Sequence, residues 1–140
     1  MAGYSGTSLV KKLGIKPGFD VAFVNTPEDF VKQLDLPSDA NVRSHSKARD
    51  LDFILVFVKS QKTLTTAFVQ YSRKIRANGM LWMSWPKKTS GVQTDLTENI
   101  VRDIGLAAGL VDVKVCAVDD VWSGLKFVYR LRDRAALKSR

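Results

Sequence analysis

Long apolar runs and amphipathic segments alternate along this chain, which predicts strands and helices in turn. Two runs, LDFILVFVKS from Leu51 and MLWMSWP from Met80, are continuously apolar, as in strands buried on both faces of a parallel sheet. The segment 61–77 between them has apolar residues at helical spacing, which predicts a helix that Asn78 and Gly79 end. The inward residues of this helix are Leu64, Phe68, Tyr71 and Ile75.

The N-terminal part of the chain predicts a short helix followed by strands. Thr7 or Ser8 is placed to cap the helix, and Gly14 is placed to end it. The segment DVAFVN, from Asp20, predicts the first strand, and NVRSH, from Asn41, predicts a second short strand.

A turn into a second helix follows the first strand. Thr26 is a suitable N-cap, Pro27 occupies the favoured first helical position, and Asp29 can complete a variant of the capping box. We expect this helix to run to about Leu34. Its N-terminus would then be capped by its own side chains, with Glu28 and Asp29 adding negative charge there.

The C-terminal part of the chain predicts one more helix and then two strands. In TDLTENIVRDIGLAAG, Asp95 and Glu98 are spaced as a capping box and Gly109 ends the helix. The inward stripe of this helix is Leu96, Ile100, Ile104 and Ala108. The segment 111–131 predicts an antiparallel pair of strands joined by a short turn. Together the elements predict a three-layer α/β fold with a mostly parallel sheet and an antiparallel C-terminal hairpin.

Length and composition are those of one soluble domain. The chain has 140 residues, of which 45% are apolar and 26% charged, and we expect a single domain over 1–140 with a basic, flexible tail at 133–140. No apolar run approaches the roughly 20 residues of a membrane-spanning helix, and the N-terminus lacks the layout of a signal peptide, so a cytoplasmic protein is expected. One cysteine and one histidine exclude an internal disulfide and a histidine-cysteine metal cluster, and no cofactor is predicted.

The loop after the MLWMSWP strand is the candidate ligand site. Ligands of open α/β sheets lie beyond the carboxyl ends of the strands, and this loop carries two lysines, three hydroxyl groups and a glycine that suit a phosphate or carboxylate. The candidate ligand-binding residues are Trp85, Lys87, Lys88, Thr89, Ser90, Gly91, Gln93 and Thr94. Alternation along the strand places Trp82 and Trp85 on opposite faces, so at least one of them is a core residue. The alternative for the loop is a solvated segment whose polar residues cap its own backbone.

The net charge of +8 predicts an anionic partner: a small molecule, an acidic protein or a nucleic acid. Basic residues cluster late in the 61–77 helix and near the C-terminus, where Arg130 and Arg132 would share one face of a strand. The basic-surface candidates are Arg73, Lys74, Arg76, Arg130, Arg132 and Arg134. A frayed, solvated tail is the alternative for the C-terminal cluster.

Four further residues have both a structural and a chemical interpretation. His45 lies in a polar segment and is either a solvated loop residue or a catalytic one. Asp119 and Asp120 form either a carboxylate pair or part of a turn, and turn chemistry is favoured because adjacent extended residues point apart. Cys116 lies inside a predicted strand, where cysteine usually acts as a small hydrophobic residue.

The order of these elements resembles the Rossmann-like fold of S-adenosylmethionine-dependent methyltransferases. The resemblance rests on GIKPG before the first strand, LDFILVF and ANGMLWMSWP as buried strands, and AAGLVDVKV leading into the terminal hairpin. It covers most of the chain, from about Gly14 to Arg130. The stretches WPKKTSGVQTDLTEN and GLVDVKVCAVDDVWSGLKFV also resemble an uncharacterised family of small bacterial proteins, from which no activity can be transferred.

The chain departs from the methyltransferase pattern at both cofactor anchors. The family has a glycine-rich turn after the first strand, where this chain has VNTPEDF, and an acid after the second strand, where NVRSHSK supplies none before Asp50. We therefore expect a non-catalytic ligand-binding or interaction module that prefers an anionic ligand. The alternatives are an atypical S-adenosylmethionine-dependent methyltransferase and a nucleic-acid-associated protein that uses the basic C-terminal stripe.

Overall fold

The described part of the chain forms six strands and five α-helices. The computed structural model describes residues 8–138 of the chain. Its elements are α1 (Leu9–Leu13), β1 (Asp20–Val24), α2 (Phe30–Gln33), β2 (Asn41–Val42), β3 (Leu51–Phe57), α3 (Gln61–Ser72), β4 (Ile75–Pro86), α4 (Glu98–Ala107), β5 (Leu110–Ala117), β6 (Trp122–Tyr129) and α5 (Leu131–Lys138).

The strands form one sheet in the order β2-β1-β3-β4-β6-β5. β2, β1, β3 and β4 are parallel, whereas β6 runs antiparallel to both β4 and β5. The predicted α/β fold with an antiparallel C-terminal hairpin is confirmed. The chain leaves β1 toward one edge of the sheet and leaves β3 toward the other, so the direction of winding reverses between these two neighbouring strands.

Helices cover both faces of the sheet because its central strands are apolar on both sides. β3 buries every residue except the partly exposed Asp52. One face packs on α3 and α4 through residues such as Phe68 and Val101, and the other packs on α1 and α2 through Leu13 and Phe30. Burial on this scale is the main stabilising contribution to the fold, at about 25 cal/mol per Å² of apolar surface.

The two tryptophans of β4 lie on opposite faces, as the alternation predicted. Trp82 is fully buried against α1, and its indole N–H donates a 3.0 Å hydrogen bond to the carbonyl of Leu13. Trp85 lies in the core cluster under α3 and α4. The short helix α1 is held to the sheet by this buried bond and begins at Ser8, whose hydroxyl accepts from the N–H of Lys11 at 3.3 Å. The alternative cap, Thr7, lies outside the described residues.

The predicted helix 61–77 is wrong at its C-terminal end. α3 stops at Ser72, and Ile75 already belongs to β4, where it pairs with Leu51. Gly79 lies inside β4 and does not end a helix. Glycine is needed at this position because a Cβ there would be 2.8 Å from the carbonyl oxygen of Leu51. The close approach of the two backbones coincides with a register shift in the β3–β4 pairing between Leu51 and Phe53.

Two predicted helix caps are also wrong. α2 is a single turn that starts only at Phe30; Asp29 precedes it with φ 63° and makes no side-chain cap bond. The N-cap of α4 is Thr97, which accepts from the N–H of Ile100 at 3.3 Å. Asp95 instead accepts from the backbone N–H of Gln61 at 2.9 Å and so caps the neighbouring helix α3.

The C-terminal segment folds differently from the prediction. Residues 131–138 form α5, so most of the expected tail 133–140 is helical, and its last two residues lie outside the described range. Arg130 follows β6 and Arg132 lies in α5, so they do not share a strand face. No helix in the described part of the chain is long and apolar enough to cross a bilayer.

We predict that Gly105→Ala destabilises the fold although alanine is the better helix former. A Cβ at Gly105 would lie 2.2 Å from a ring carbon of Phe127, which itself packs edge-on against Phe68 at 4.9 Å. Overpacking of this kind costs about 1–3 kcal/mol, more than the roughly 1 kcal/mol gained in helix propensity. Urea denaturation should show a lower midpoint, whereas the control Asp103→Ala, on the exposed side of α4, should leave the midpoint unchanged or slightly higher. Equal midpoints for the two variants would contradict the packing described.

Candidate functional site

A cleft opens at the carboxyl edge of the sheet, between the ends of β1 and β3. It has a volume of about 520 Å³ and is lined by residues 25–27 after β1, residues 57–59 at the end of β3, Thr63 of α3 and Trp122 of β6. This is the point at which the winding direction reverses, so the two following chain segments part and leave a crevice. Ligands of open α/β folds bind in such crevices.

The turn after β1 adopts a left-handed conformation without glycine. Asn25 has φ 57°, a conformation that asparagine tolerates better than most residues. Its side-chain amide N–H donates to the carbonyl of Phe57 at 3.4 Å and so links the ends of β1 and β3. The turn therefore has the backbone direction that glycine commonly supplies, and it is held in place by a side chain.

Aromatic side chains form one wall of the cleft. The ring of Trp122 packs edge-on against Phe57 at 5.0 Å, and Phe57 packs against Phe30 at the same distance. The start of β6 is fixed by Asp119, whose carboxylate oxygen Oδ1 accepts from the N–H groups of Val121 and Trp122, both at 2.8 Å. Phe57 and Trp122 in this wall therefore lie in strands, and the turn at Asp119 fixes the position of Trp122.

The ammonium group of Lys59 provides a charge at the mouth of the cleft. Lys59 follows β3 and is exposed, and its Nζ has no hydrogen-bond or ion-pair partner among the described residues. Its backbone carbonyl accepts from Thr94 at 2.6 Å, which holds the residue at the start of α3. No carboxylate is among the residues that line this cleft in the described part of the chain.

A second, smaller cavity adjoins the cleft on the face covered by α3. It has a volume of about 290 Å³ and shares Asn25 and Thr63 with the cleft. At its far end the hydroxyl of Tyr71 lies 3.3 Å from Nδ1 of His45, and burial raises the pKa of Tyr71. His45 is therefore a partly buried residue with a tyrosine partner, and it lies in a cavity that adjoins the cleft at Asn25 and Thr63.

The predicted ligand loop lies beside the cleft but does not line it. Trp85 is 5% exposed, so it is a core residue and offers no stacking surface. Lys87 donates to the carbonyl of Asp119 at 2.7 Å, and the hydroxyl of Ser90 donates to the carbonyl of Lys87 at 2.6 Å. Gly91 adopts φ 78° after the short 3₁₀ turn Lys88–Ser90. The remaining members are Lys88, Thr89, Gln93 and Thr94, and anion binding by this loop stays a prediction.

The basic-surface candidates separate into two groups. Arg73, Lys74 and Arg76 lie at the amino edge of the sheet, between α3 and the start of β4. Arg130, Arg132 and Arg134 lie around α5, where Arg134 donates to the carbonyl of Tyr129 at 3.1 Å and Arg132 lies 4.0 Å from Asp133. The two groups are not joined into a strand-borne stripe.

The remaining candidates have structural roles in the described part of the chain. Asp119 accepts the turn N–H groups, so the predicted turn chemistry is present, and Asp120 is exposed. The described residues contain no group of three or more acidic, histidine or cysteine side chains that could hold a metal ion. Cys116 is partly buried in β5, and burial raises the pKa of its thiol against the opposing effect of Lys114 and Lys12.

Comparison with solved structures identifies the fold. A methyltransferase from Aquifex aeolicus dependent on S-adenosylmethionine (SAM) is similar at 16% identity and a TM-score of 0.57, over 85% of this chain and 86% of that chain. A TehB-like SAM-dependent methyltransferase from Corynebacterium glutamicum is similar at 9% identity and a TM-score of 0.57, over 87% and 85% of the two chains. A ribosomal protein L11 methylase from Lactobacillus delbrueckii subsp. bulgaricus is similar at 10% identity and a TM-score of 0.58, over 87% and 75%. The sequence matches no protein-family model and no curated protein.

These similarities confirm the predicted Rossmann-like, methyltransferase-like fold. They also correct the functional prediction, because a non-catalytic binding or interaction module was wrong as the leading interpretation. The three solved structures described above are two SAM-dependent methyltransferases and a methylase, so the methyltransferase alternative is the one that these similarities favour over a non-catalytic module.

Sequence reasoning missed most residues of the cleft. The absence of glycine after β1 suggested that no tight turn was present, and Asn25 was missed for that reason. Asparagine is, however, the common substitute for glycine at positive φ. Lys59 and Thr63 lie directly after a buried strand, and that position at a carboxyl edge was the usable signal. Trp122 starts β6, beside the turn predicted between the two C-terminal strands, and its side chain reaches the cleft.

We predict that Cys116 reacts slowly with iodoacetamide and titrates at a higher pH in the folded protein than in the unfolded one. Burial disfavours the thiolate, so at a given pH the folded chain carries less of the reactive form. Alkylation rates measured from pH 7 to 10 should give a higher midpoint for native protein than for the same protein in 8 M urea, which is the matched control. A native midpoint equal to or below the unfolded one would contradict the environment described.

Proposed function

We propose that this protein is an atypical S-adenosylmethionine-dependent methyltransferase that holds its cofactor in the carboxyl-edge cleft. The observation that carries the proposal is the position of the cleft, between residues 25–27 and 57–59, where the winding of the sheet reverses. Its volume of about 520 Å³ lies within the roughly 300–1,000 Å³ of small-molecule sites. The similarity to methyltransferase folds, which covers 85% to 87% of this chain, supports the same assignment.

The residues of the cleft suit most parts of the cofactor. Lys59 offers a free ammonium group for the carboxylate of the methionine portion. Pro27 and Trp122, both partly exposed, offer apolar and aromatic surface for the adenine ring, and the buried Phe57 supports the ring of Trp122 from below. The hydroxyl groups of Thr26 and Thr63 are the available partners for the ribose hydroxyls, because no carboxylate lines the cleft in the described part of the chain.

In this proposal, other residues take the place of the two cofactor anchors that the chain lacks, the glycine-rich turn after the first strand and the acid after the second. Asn25 supplies the left-handed turn that lets the backbone approach a ligand. The hydrogen bond that its side-chain amide donates to the carbonyl of Phe57 keeps that turn closed. Hydrogen bonds between the ribose hydroxyls and threonine hydroxyls are weaker than those that the ribose hydroxyls donate to a carboxylate, so we expect cofactor affinity to be low for a methyltransferase. The smaller cavity that ends at His45 and Tyr71 gives additional room beside the turn.

S-adenosylmethionine, when bound, supplies a methyl group that is activated by the positive sulfur. The residues of this chain have to bind the two reactants, align them in line and exclude water, and such positioning is a large share of catalysis in bimolecular reactions. No histidine or carboxylate lines the cleft itself in the described residues, so a general base is not provided there. The acceptor we infer therefore has a lone pair available at neutral pH, as in a thiolate, an unprotonated amine or an aromatic nitrogen.

The proposal also includes a cytoplasmic location, which rests on the sequence alone. Binding of an anion by the loop from Lys87 to Thr94 is kept as a secondary proposal, because that loop adjoins the cleft through Thr94 and Lys59.

We predict that Thr63→Trp abolishes binding of S-adenosylhomocysteine, because an indole at this position fills the space between α3 and the β1 turn. The matched control is Thr65→Trp, since Thr65 is exposed on the same helix but lines neither cavity. Isothermal titration calorimetry should show binding to the wild type and the control and none to Thr63→Trp. Saturation at 100 times the dissociation constant should also stabilise the wild type by about 2.7 kcal/mol in thermal unfolding.

Two outcomes of that experiment would count against the proposal. If the wild type does not bind S-adenosylhomocysteine at millimolar concentration, the cofactor assignment is wrong. If Thr63→Trp and Thr65→Trp bind it equally well, the cofactor lies elsewhere on the protein.

A further inference from the structure

A second, larger groove lies at the amino edge of the sheet, opposite the proposed cofactor cleft. It has a volume of about 780 Å³ and is lined by Arg49 and Asp50 before β3, Arg73, Arg76 and Asn78 around the start of β4, and Leu137 of α5. Three arginines and one aspartate face this space, so the groove is strongly basic. The seven residues of β3 separate it from the cleft by about 20 Å.

The loop that carries Arg49 is fixed by two cations, Lys74 in the turn after α3 and Arg76 at the start of β4. The ammonium group of Lys74 donates to the carbonyls of His45 at 2.6 Å and Ser46 at 3.1 Å. The guanidinium Nε of Arg76 donates to the carbonyl of Asp50 at 2.9 Å, and Ala48 is buried in the core. These bonds hold both ends of the loop, so Arg49 lies on a segment that tertiary contacts fix at the edge of the groove.

The acids of this edge are occupied by two of its cations. Asp20 lies 3.5 Å from Arg43 and 3.9 Å from Arg76, and Asp52 lies 3.3 Å from Arg76. Arg49 and Arg73, in contrast, are exposed, and their guanidinium groups make no hydrogen bond or ion pair with any described residue. Two guanidinium groups, from separate chain segments that line the groove, are therefore free to bind anions.

We propose that this groove binds the phosphodiester backbone of a nucleic acid duplex. Arginine matches phosphate by donating two parallel hydrogen bonds, and two free arginines that line one open groove suit two successive phosphates better than one small anion. No aromatic residue lines the groove in the described part of the chain, so it offers no stacking surface for unpaired bases. Binding is consequently independent of base sequence and directed to the backbone.

The surrounding surface favours the same partner. Lys47 and Lys74 lie in and beside the loop that carries Arg49, and the whole chain has a net charge of +8. The carboxylate of Asp50 is the one acidic group among the groove residues named above, and it faces three guanidinium groups. A positive field of this kind draws polyanions to the surface and is weakened by salt.

The test compares the double variant Arg49→Gln/Arg73→Gln with a charge-matched control, Lys11→Gln/Lys32→Gln. Lys11 and Lys32 are exposed on α1 and α2, which cover the face of the sheet opposite α3, so the control loses the same charge without touching the groove. Fluorescence anisotropy with labelled 20-base-pair DNA and RNA duplexes, from 50 to 300 mM NaCl, gives the affinity and its salt dependence. The two probes decide which duplex is preferred, and a single-stranded oligonucleotide tests the requirement for a duplex.

The wild type should bind a duplex with a steep salt dependence. The logarithm of the binding constant falls as the logarithm of the salt concentration rises. Removing two phosphate contacts should make this slope less steep by about 1.8, at about 0.9 per contact. The Lys11→Gln/Lys32→Gln control should keep the wild-type slope. No measurable duplex binding at 50 mM NaCl, tighter binding of the single strand, or equal losses in the two double variants would each overturn the proposal.

This inference does not depend on the proposed methyltransferase activity. Binding of S-adenosylhomocysteine to the Arg49→Gln/Arg73→Gln variant reports on the carboxyl-edge cleft and shows at the same time that the variant is folded. If the protein binds the duplex but not S-adenosylhomocysteine, the proposed methyltransferase activity is wrong and the groove proposal stands. If it binds S-adenosylhomocysteine but not the duplex, the groove proposal is wrong and the proposed activity stands.

Discussion

The burial of β3 on both faces is the constraint on which the rest of the structure depends. Leu51 and residues 53–57 are enclosed by α3 and α4 on one side and by α1 and α2 on the other, and only Asp52 reaches the surface in part. A central strand covered in this way can contact a ligand only at its two ends. The carboxyl end forms the cleft with the β1 turn, and the amino end forms the basic groove with the start of β4. The two candidate sites thus follow from one packing requirement.

The parts of the fold that could be predicted from the sequence are those in which local chemistry and burial agree. The apolar runs of β3 and β4, the hairpin of β5 and β6 and the Ser8 cap with Gly14 are all of this kind. The failures have a common cause in tertiary contacts. Ile75 continues the helical spacing of α3 but pairs with Leu51 in the sheet, and Asp95 has the spacing of a cap for α4 but reaches the N-terminus of α3. No local pattern distinguishes these outcomes.

The candidate site was harder to predict than the fold because its residues come from four separate segments. The loop from Lys87 to Thr94 concentrates polar residues in the sequence, whereas the cleft combines Asn25, Lys59, Thr63 and Trp122, none of which lies in a recognisable motif. The turn after β1 was the most misleading part. The lack of glycine was taken to mean the lack of a ligand turn, but Asn25 adopts the left-handed conformation and is held there by its bond to Phe57. The function of such a turn depends on its backbone, and the sequence reports the backbone only indirectly.

The central claim is that the carboxyl-edge cleft holds S-adenosylmethionine. Amide chemical-shift mapping of ¹⁵N-labelled protein during titration with S-adenosylhomocysteine tests it most directly, because every segment of the chain is observed at once. We predict shifts concentrated at Asn25, Thr26, Lys59, Thr63 and the indole of Trp122, with the amino edge unchanged. Shifts confined to the loop from Lys87 to Thr94, or no shifts at millimolar ligand, would contradict the claim.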